Sequence, residues 1–177
     1  MRKIFLLHLL FLGLSFSGFS QKFGYVDTDY VLNQMPEYKE AQSKIQELAR
    51  SWQEEIKGMI AEKESMYEAL EAEKVLLTEE MIKERKEEIK EKEKEIQDYQ
   101  QKVFGFEGLF YLKKEEIIKP VMDQVFEAVS KVAKDKRLQI VFDKSGDLVM
   151  IYTNPVHDYT DYVLEELGLG DKNDTIE

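Results

Sequence analysis

The apolar positions of this chain fall into two columns of period seven. Ile82, Ile89, Ile96, Val103, Phe110 and Ile117 repeat within Thr78 to Lys119, and the residues between the first three are almost all Lys, Arg, Glu, Gln or Asp. Tyr38, Ile45, Trp52, Met59 and Met66 keep the same spacing earlier in the chain. Such a repeat lines apolar side chains along one narrow stripe of a helix, the seam of a coiled coil. Two seamed helices in succession predict an antiparallel hairpin. Residues at equal height in a hairpin have numbers with a constant total, and pairing Met66 with Ile89 or Tyr38 with Ile117 gives 155. The tip then falls between Leu77 and Thr78, where Leu76-Leu77-Thr78-Glu79-Glu80 reads as a turn, an N-cap and acids in the first helical turn. Arms of about 40 residues would extend roughly 60 Å at 1.5 Å per residue.

The flanks follow a different pattern. Lys22 to Asp27 reads as a short strand with Phe23 and Tyr25 on one face, and Thr28 or Asp29 can cap a turn of helix through Tyr30, Val31 and Leu32. Pro36 suits the first position of the long arm, where its missing N–H costs nothing. The run from Glu79 to Asp98 holds nine acids and six bases and reads as a solvated face. Tyr99, Val103, Phe104, Phe106, Leu109, Phe110, Tyr111 and Leu112 then predict a buried root and a wet tip. Gly105 and Gly108 lie in this apolar section and leave two readings open: close packing beside Ala49 and Ser51, or a hinge. Pro120 should kink or restart the helix, with Val121, Val125, Val129, Val132 and Ala133 continuing on one side.

Two dense strands come next, Leu138 to Asp143 and Leu148 to Thr153, joined by the hairpin signal Lys144-Ser145-Gly146-Asp147. A last helix, Thr160 to Leu167, has Asp158 as a candidate cap and closes at Gly168. The fold class expected is α+β: a long helical hairpin standing on a small three-stranded β body. The segments are 1–20, 21–35 (first part of the body), 36–119 (the hairpin, tip near 77–78), 120–168 (second part of the body) and 169–177 (a flexible tail). Short strands with apolar faces and open edges need a cover, and other subunits are the expected one.

Residues 1–20 read as a signal peptide. Arg2 and Lys3 precede the apolar run Ile4 to Leu14, with Gly18 and Ser20 placed for cleavage before Gln21. The run is shorter than the roughly 20 residues of a transmembrane span. The mature chain is therefore expected to be exported, without a membrane span. Losing Arg2 and Lys3 leaves 23 bases against 36 acids, a formal charge of −13. That balance argues against nucleic acid, whose binding runs on Lys and Arg. With no Cys, disulfides and thiolate metal sites are excluded. His157 is the one mature His, and helix capping accounts for the pairs Asp27 and Asp29, Asp158 and Asp161. No enzyme, cofactor or metal is expected.

The chain resembles the OmpH/Skp family of periplasmic chaperones. The resemblance rests on Phe23-Gly24-Tyr25-Val26-Asp27 before a helix, the charged hairpin, Ile118-Lys119-Pro120-Val121, the run Val141-Phe142-Asp143-Lys144-Ser145-Gly146, Tyr152-Thr153-Asn154-Pro155 and Asp158-Tyr159-Thr160-Asp161. It implies a homotrimer whose subunits each give three strands to a shared barrel, with Phe23, Tyr25, Val26, Ile140, Val141, Phe142, Leu148, Val149, Met150, Ile151 and Tyr152 as the oligomerisation body. It implies, too, a periplasmic, ATP-independent holdase that encloses unfolded outer-membrane β-barrel proteins between its helical tentacles. Familiar members are basic and this chain is acidic, so lipopolysaccharide binding is not carried over; basic clients or hydrophobic contacts are both open. Met59, Met66, Tyr67, Leu70, Met81 and Ile82 are candidate client contacts, though Met59, Met66 and Ile82 also fit the seam. The alternative is a structural adaptor of the cell envelope.

Overall fold

The computed structural model describes residues 21–146 and 149–170. The expected signal peptide (1–20), Asp147 and Leu148 of the expected hairpin, and residues 171–177 of the expected tail lie outside them. Strand β1, Phe23–Val26, ends at Asp27, whose carboxylate accepts the Tyr30 N–H at 2.9 Å and caps helix α1, Thr28–Gln34. The cap is thus one residue before the candidates Thr28 and Asp29. Met35 turns the chain, and Pro36 opens α2, Pro36–Glu73. After a turn, Thr78 caps α3, Glu79–Phe104, by accepting the Met81 N–H at 3.3 Å.

The two arms run antiparallel. The Tyr99 hydroxyl donates to Glu55 at 2.6 Å, and Lys92 pairs with Glu62 at 2.7 Å. These pairs total 154 where the sequence columns gave 155. The seam is thin: Ile96 and Val103 of the second column are buried and the rest of both columns is half-buried, while on α2 the buried contacts are Ile56 and Leu70, beside the first column.

Two expectations about the second arm need correction. It is not one helix to Lys119, because α3 stops at Phe104 and α4 starts at Leu109. A side chain on Gly105 would strike the Gln101 carbonyl, and one on Gly108 would come within 2.6 Å of the Val103 carbonyl. Glu107 between them sits at φ 54°, in the left-handed region. The glycines therefore build a tight turn rather than admit Ala49 and Ser51. Of the two outcomes expected at Pro120, a kink or a restart, the restart does not occur: α4 runs Leu109–Asp135 through it. Pro120 and Glu116 are both exposed, so the carbonyl left without a partner lies where water can reach it.

The body closes on α4. Val121, Val125, Ala128 and Val132 recur at helical spacing and pack with Val26, Val31, Leu32, Met35, Ala41, Leu138, Tyr159, Val163 and Leu164. Val125, Val31 and Val163 are wholly buried. Tyr38 and Ile117, the pair expected at the root, both pack against this core. Strand β2, Ile140–Asp143, pairs in parallel with β1, Phe23 beside Ile140 through Val26 beside Asp143. Parallel neighbours need a crossover, and here the crossover is the whole arm plus α4.

The sheet has two strands among the described residues, not three. The segment 149–153 forms no strand, and Ile151 is 98% exposed. Its backbone joins neither β1 nor β2, so the pattern that marks it as a strand is left without a ladder. A 3₁₀ turn, Pro155–His157, and α5, Thr160–Glu166, complete the chain, and Gly168 closes α5 at φ 74°.

Candidate functional site

Two surfaces stand out, one on the body and one on the arm. The body surface follows from the register of β1 and β2. Parallel pairing puts Gly24, Val26 and Val141 on the side of the core and Phe23, Tyr25, Ile140 and Phe142 on the other. Phe23 is 49% exposed, and Ile140, Phe142, Val149 and Tyr152 are also exposed. Tyr25 and Val26 are buried within the chain itself, while Val141 and Met150 are half-buried. A groove of about 340 Å³ runs between Phe23, Tyr25 and Phe142 on one side and Met150, Tyr152 and His157 on the other. His157 stacks on Phe23 with ring centroids 4.8 Å apart. That packing role fits a lone His better than ligation does.

The polar residues of the terminal motifs hold this surface in place. Asp143 accepts the Thr28 hydroxyl at 2.6 Å, the Ser145 hydroxyl at 2.7 Å and the Ser145 N–H at 3.0 Å. Burial pushes the Asp143 carboxyl up, but the hydrogen bonds from Thr28 and Ser145 outweigh it and hold the group below its ordinary value. The sequence signal read as a β-hairpin is, at Lys144 to Gly146, a turn folded onto the Asp143 carboxylate. A second knot ties the other end: the Asp27 N–H donates to the Thr160 hydroxyl at 3.0 Å, and that hydroxyl donates to Asp158 at 2.6 Å. Asp158 also accepts the Thr160 N–H at 2.9 Å, as a cap near the start of α5 would. Gly24 lets the Tyr159 ring lie against the strand, since a Cβ there would come within 2.6 Å of ring atom Cε2. The Tyr159 N–H meanwhile donates to the Tyr25 carbonyl at 2.9 Å.

On the arm, the six candidate contacts divide. Leu70 is 3% exposed and belongs to the seam, and Met59, Met66 and Ile82 are half-buried along it. Tyr67, 57% exposed, and Met81 face solvent. Val75 and Leu76 at the turn are exposed as well, so the tip is solvent-facing but apolar there.

Sequence reasoning placed Phe106 in the buried root, but it is 92% exposed. The two glycines three residues apart were the signal for the break. Their effect on Phe106 is invisible to a heptad count, because Val103 and Phe110 keep their period across the turn. Among the described residues, no group of three or more His, Cys, Asp or Glu side chains is placed to hold a metal ion. No helix among them is long and apolar enough to cross a membrane.

Comparison with known proteins adds three findings. The family described as "Outer membrane protein (OmpH-like)" matches residues 22–167, from before β1 to the end of α5. An uncharacterized protein of Aquifex aeolicus (strain VF5) is 34% identical over 169 residues, covering 94% of this chain and 96% of its own. A crystal structure from Caulobacter crescentus CB15, of a protein described as an OmpH-like outer membrane chaperone, superposes with a TM-score of 0.69. It covers 93% of this chain and 95% of its own at 15% identity, a likeness of fold.

Proposed function

This chain belongs to the OmpH-like family, and from that premise we propose that it is an ATP-independent periplasmic holdase. It encloses unfolded outer-membrane β-barrel proteins between helical arms and keeps them from aggregating. The observation that supports this most is the pairing of a long, thinly packed arm with a body whose apolar strand face is uncovered. Helix α2 alone has 38 residues, roughly 57 Å at 1.5 Å per residue. The arm has little core of its own and much adaptable surface.

In this reading three copies share strands in a small barrel. Ile140, Phe142, Val149, Ile151 and Tyr152 are then covered, and the segment 149–153 gains the ladder partner it lacks in a single chain. Three arms hang from that barrel around a cavity. Residues 1–20 act as the export signal, cleaved before Gln21, and the protein works in the periplasm. Clients are held by many weak contacts with exposed apolar and Met side chains, Tyr67 and Met81 first among the six candidates. The charged faces keep the complex in solution.

The purified mature protein should suppress light scattering when an unfolded outer-membrane β-barrel protein is diluted from urea, and its mass should be that of three chains. A monomer removes both barrel and cavity, and scattering equal to the control removes the chaperone role and favours an adaptor. Deleting Glu54 to Lys102 should keep the trimer and abolish protection; full protection by the shortened protein would sink the role of the arms.

A further inference from the structure

We propose that the break between α3 and α4 is an aromatic cage for a cationic side chain, and that a bound client enters it through Lys or Arg. The assignment rests on the holdase reading only for the identity of the occupant. The turn from Gly105 to Gly108 is locally specified, since neither glycine has room for a Cβ and Glu107 holds a left-handed φ of 54°. A non-glycine residue there is uncommon and costs conformational energy. The turn projects Phe106 into solvent at 92% exposure, where it contributes nothing to the core.

Beside it is a cavity of about 400 Å³ lined by Val103, Phe104, Phe106, Glu107, Phe110 and Tyr111. Its floor is stiff. Phe104 and Phe110 lie 5.7 Å apart, and Trp52 meets both edge-on at 6.3 and 6.4 Å. Aromatic faces attract a cation through the ring quadrupole, and a carboxylate at the lip adds charge and a hydrogen-bond acceptor. Glu107 is the one charged residue in the lining, which contains no base. Glu107 is exposed at the lip, so its charge favours a cationic over an apolar or anionic occupant without closing the cavity. The formal charge of −13 on the mature chain also draws cationic segments toward the arms.

The test uses two labelled peptides of one length and one alternating apolar pattern, carrying Arg or Glu at the polar positions, titrated into the mature protein by fluorescence anisotropy. Phe106→Ala and Glu107→Gln should each weaken the Arg peptide by roughly fivefold. Glu64→Gln, which removes the same charge from an exposed site on α2, should change it by less than about twofold. The Glu peptide should be unaffected by all three. Equal effects of Glu107→Gln and Glu64→Gln would leave only the overall field and overturn the cage. Loss of both peptides together on Phe106→Ala would make the cavity a general apolar dock and overturn it as well. A fall in mass on Phe106→Ala would assign Phe106 to a contact between copies, with the same consequence. Scattering assays on the same samples separate the two readings: protection without any effect of the variants removes the cage alone, and a cage effect without protection removes the holdase alone.

Discussion

The inner half of α4 and the hairpin of α2 with α3 are all helical, yet they are stabilised differently. In the stretch 121–132 of α4, Val121, Val125, Ala128 and Val132 are buried against three other elements. The 38 residues of α2 bury only Ala41, Ile56 and Leu70. Polar groups differ in the same way. The body buries Thr28 and Thr160 within closed hydrogen-bond sets around Asp143 and Asp158. The arm relies on exposed pairs such as Lys90 with Glu87 and Arg85 with Glu88, whose individual contributions are small. The body therefore depends on particular atoms, and the arm on an average pattern. That division suits the proposed holdase, which would assemble in one way and accommodate clients in many.

The largest test of the contrast is Gly24→Val. Any side chain at Gly24 meets the Tyr159 ring and comes within 3.2 Å of Leu138. Neither can move without disturbing the core, so the expected loss is about 3 kcal/mol or more, read as a fall in the urea midpoint by circular dichroism. Gly58→Val is the control in the arm, because a Cβ there meets nothing within 4 Å. It should cost less than about 1 kcal/mol. Equal losses at the two sites would remove the distinction.

Asp143→Ala comes next. It strands the donors of Thr28 and Ser145 and should cost about 2–3 kcal/mol. The pH dependence follows from the carboxyl being held below its ordinary value of 3.8. Just below that value the unfolded chain binds the proton and the folded chain does not, so stability rises with pH there. The contribution is complete above the ordinary value and is lost as pH falls through the lower folded one. In urea melts from about pH 5 to about pH 2, this part of the acid loss should vanish in Asp143→Asn. An unchanged acid limb would show that Asp143 is not the group responsible.

The arm was legible because its signal is repetitive. Period seven, Thr78 as a cap and the root pair Tyr38 and Ile117 each follow from local residue types and needed no knowledge of the rest of the fold. The body was legible only in part. Its strand candidates could be seen within Lys22 to Asp27 and Leu138 to Asp143, but their parallel pairing depends on where a long arm returns, which no local pattern encodes. The segment 149–153 has a strand's composition and yet joins neither strand of the sheet. At the break, the heptad column stayed in phase across Gly105 to Gly108, so the count overrode the two glycines that should have been believed. Lys144 to Gly146 looked like a hairpin because Ser and Gly serve both there and in a turn onto a carboxylate.

Ile96→Ala probes the seam directly. Ile96 is among the few fully buried residues of α3, and its truncation should cost about 2 kcal/mol, the low end for such a change, because two exposed helices can close over the gap. The loss should be local. Amide hydrogen exchange should quicken in peptides from α2 and α3 and stay unchanged in those covering α1, β1 and α5. Faster exchange throughout would mean that body and arm unfold as one unit.

The smallest effect expected is at the one neutral hydrogen-bond donor that bridges the arms, the Tyr99 hydroxyl bound to Glu55 at 2.6 Å. Glu55 holds the Tyr99 phenol above its ordinary value of 10.0, through the hydrogen bond first, with burial and charge adding in the same direction. For a raised group the stabilisation is full below the ordinary value and is lost as pH climbs through the folded one. The site is open to solvent, so Tyr99→Phe should cost no more than about 0.5–1 kcal/mol at neutral pH. The change should appear as modestly faster exchange on both sides of the bridge and leave the body untouched. Glu55→Gln keeps an acceptor oxygen but removes the charge, so it should retain part of the bond and, with it, part of the alkaline sensitivity. If Tyr99→Phe instead proved as damaging as Asp143→Ala, the arm would contain an atom-specific lock of its own, and the difference between the two regions would be one of extent rather than of kind.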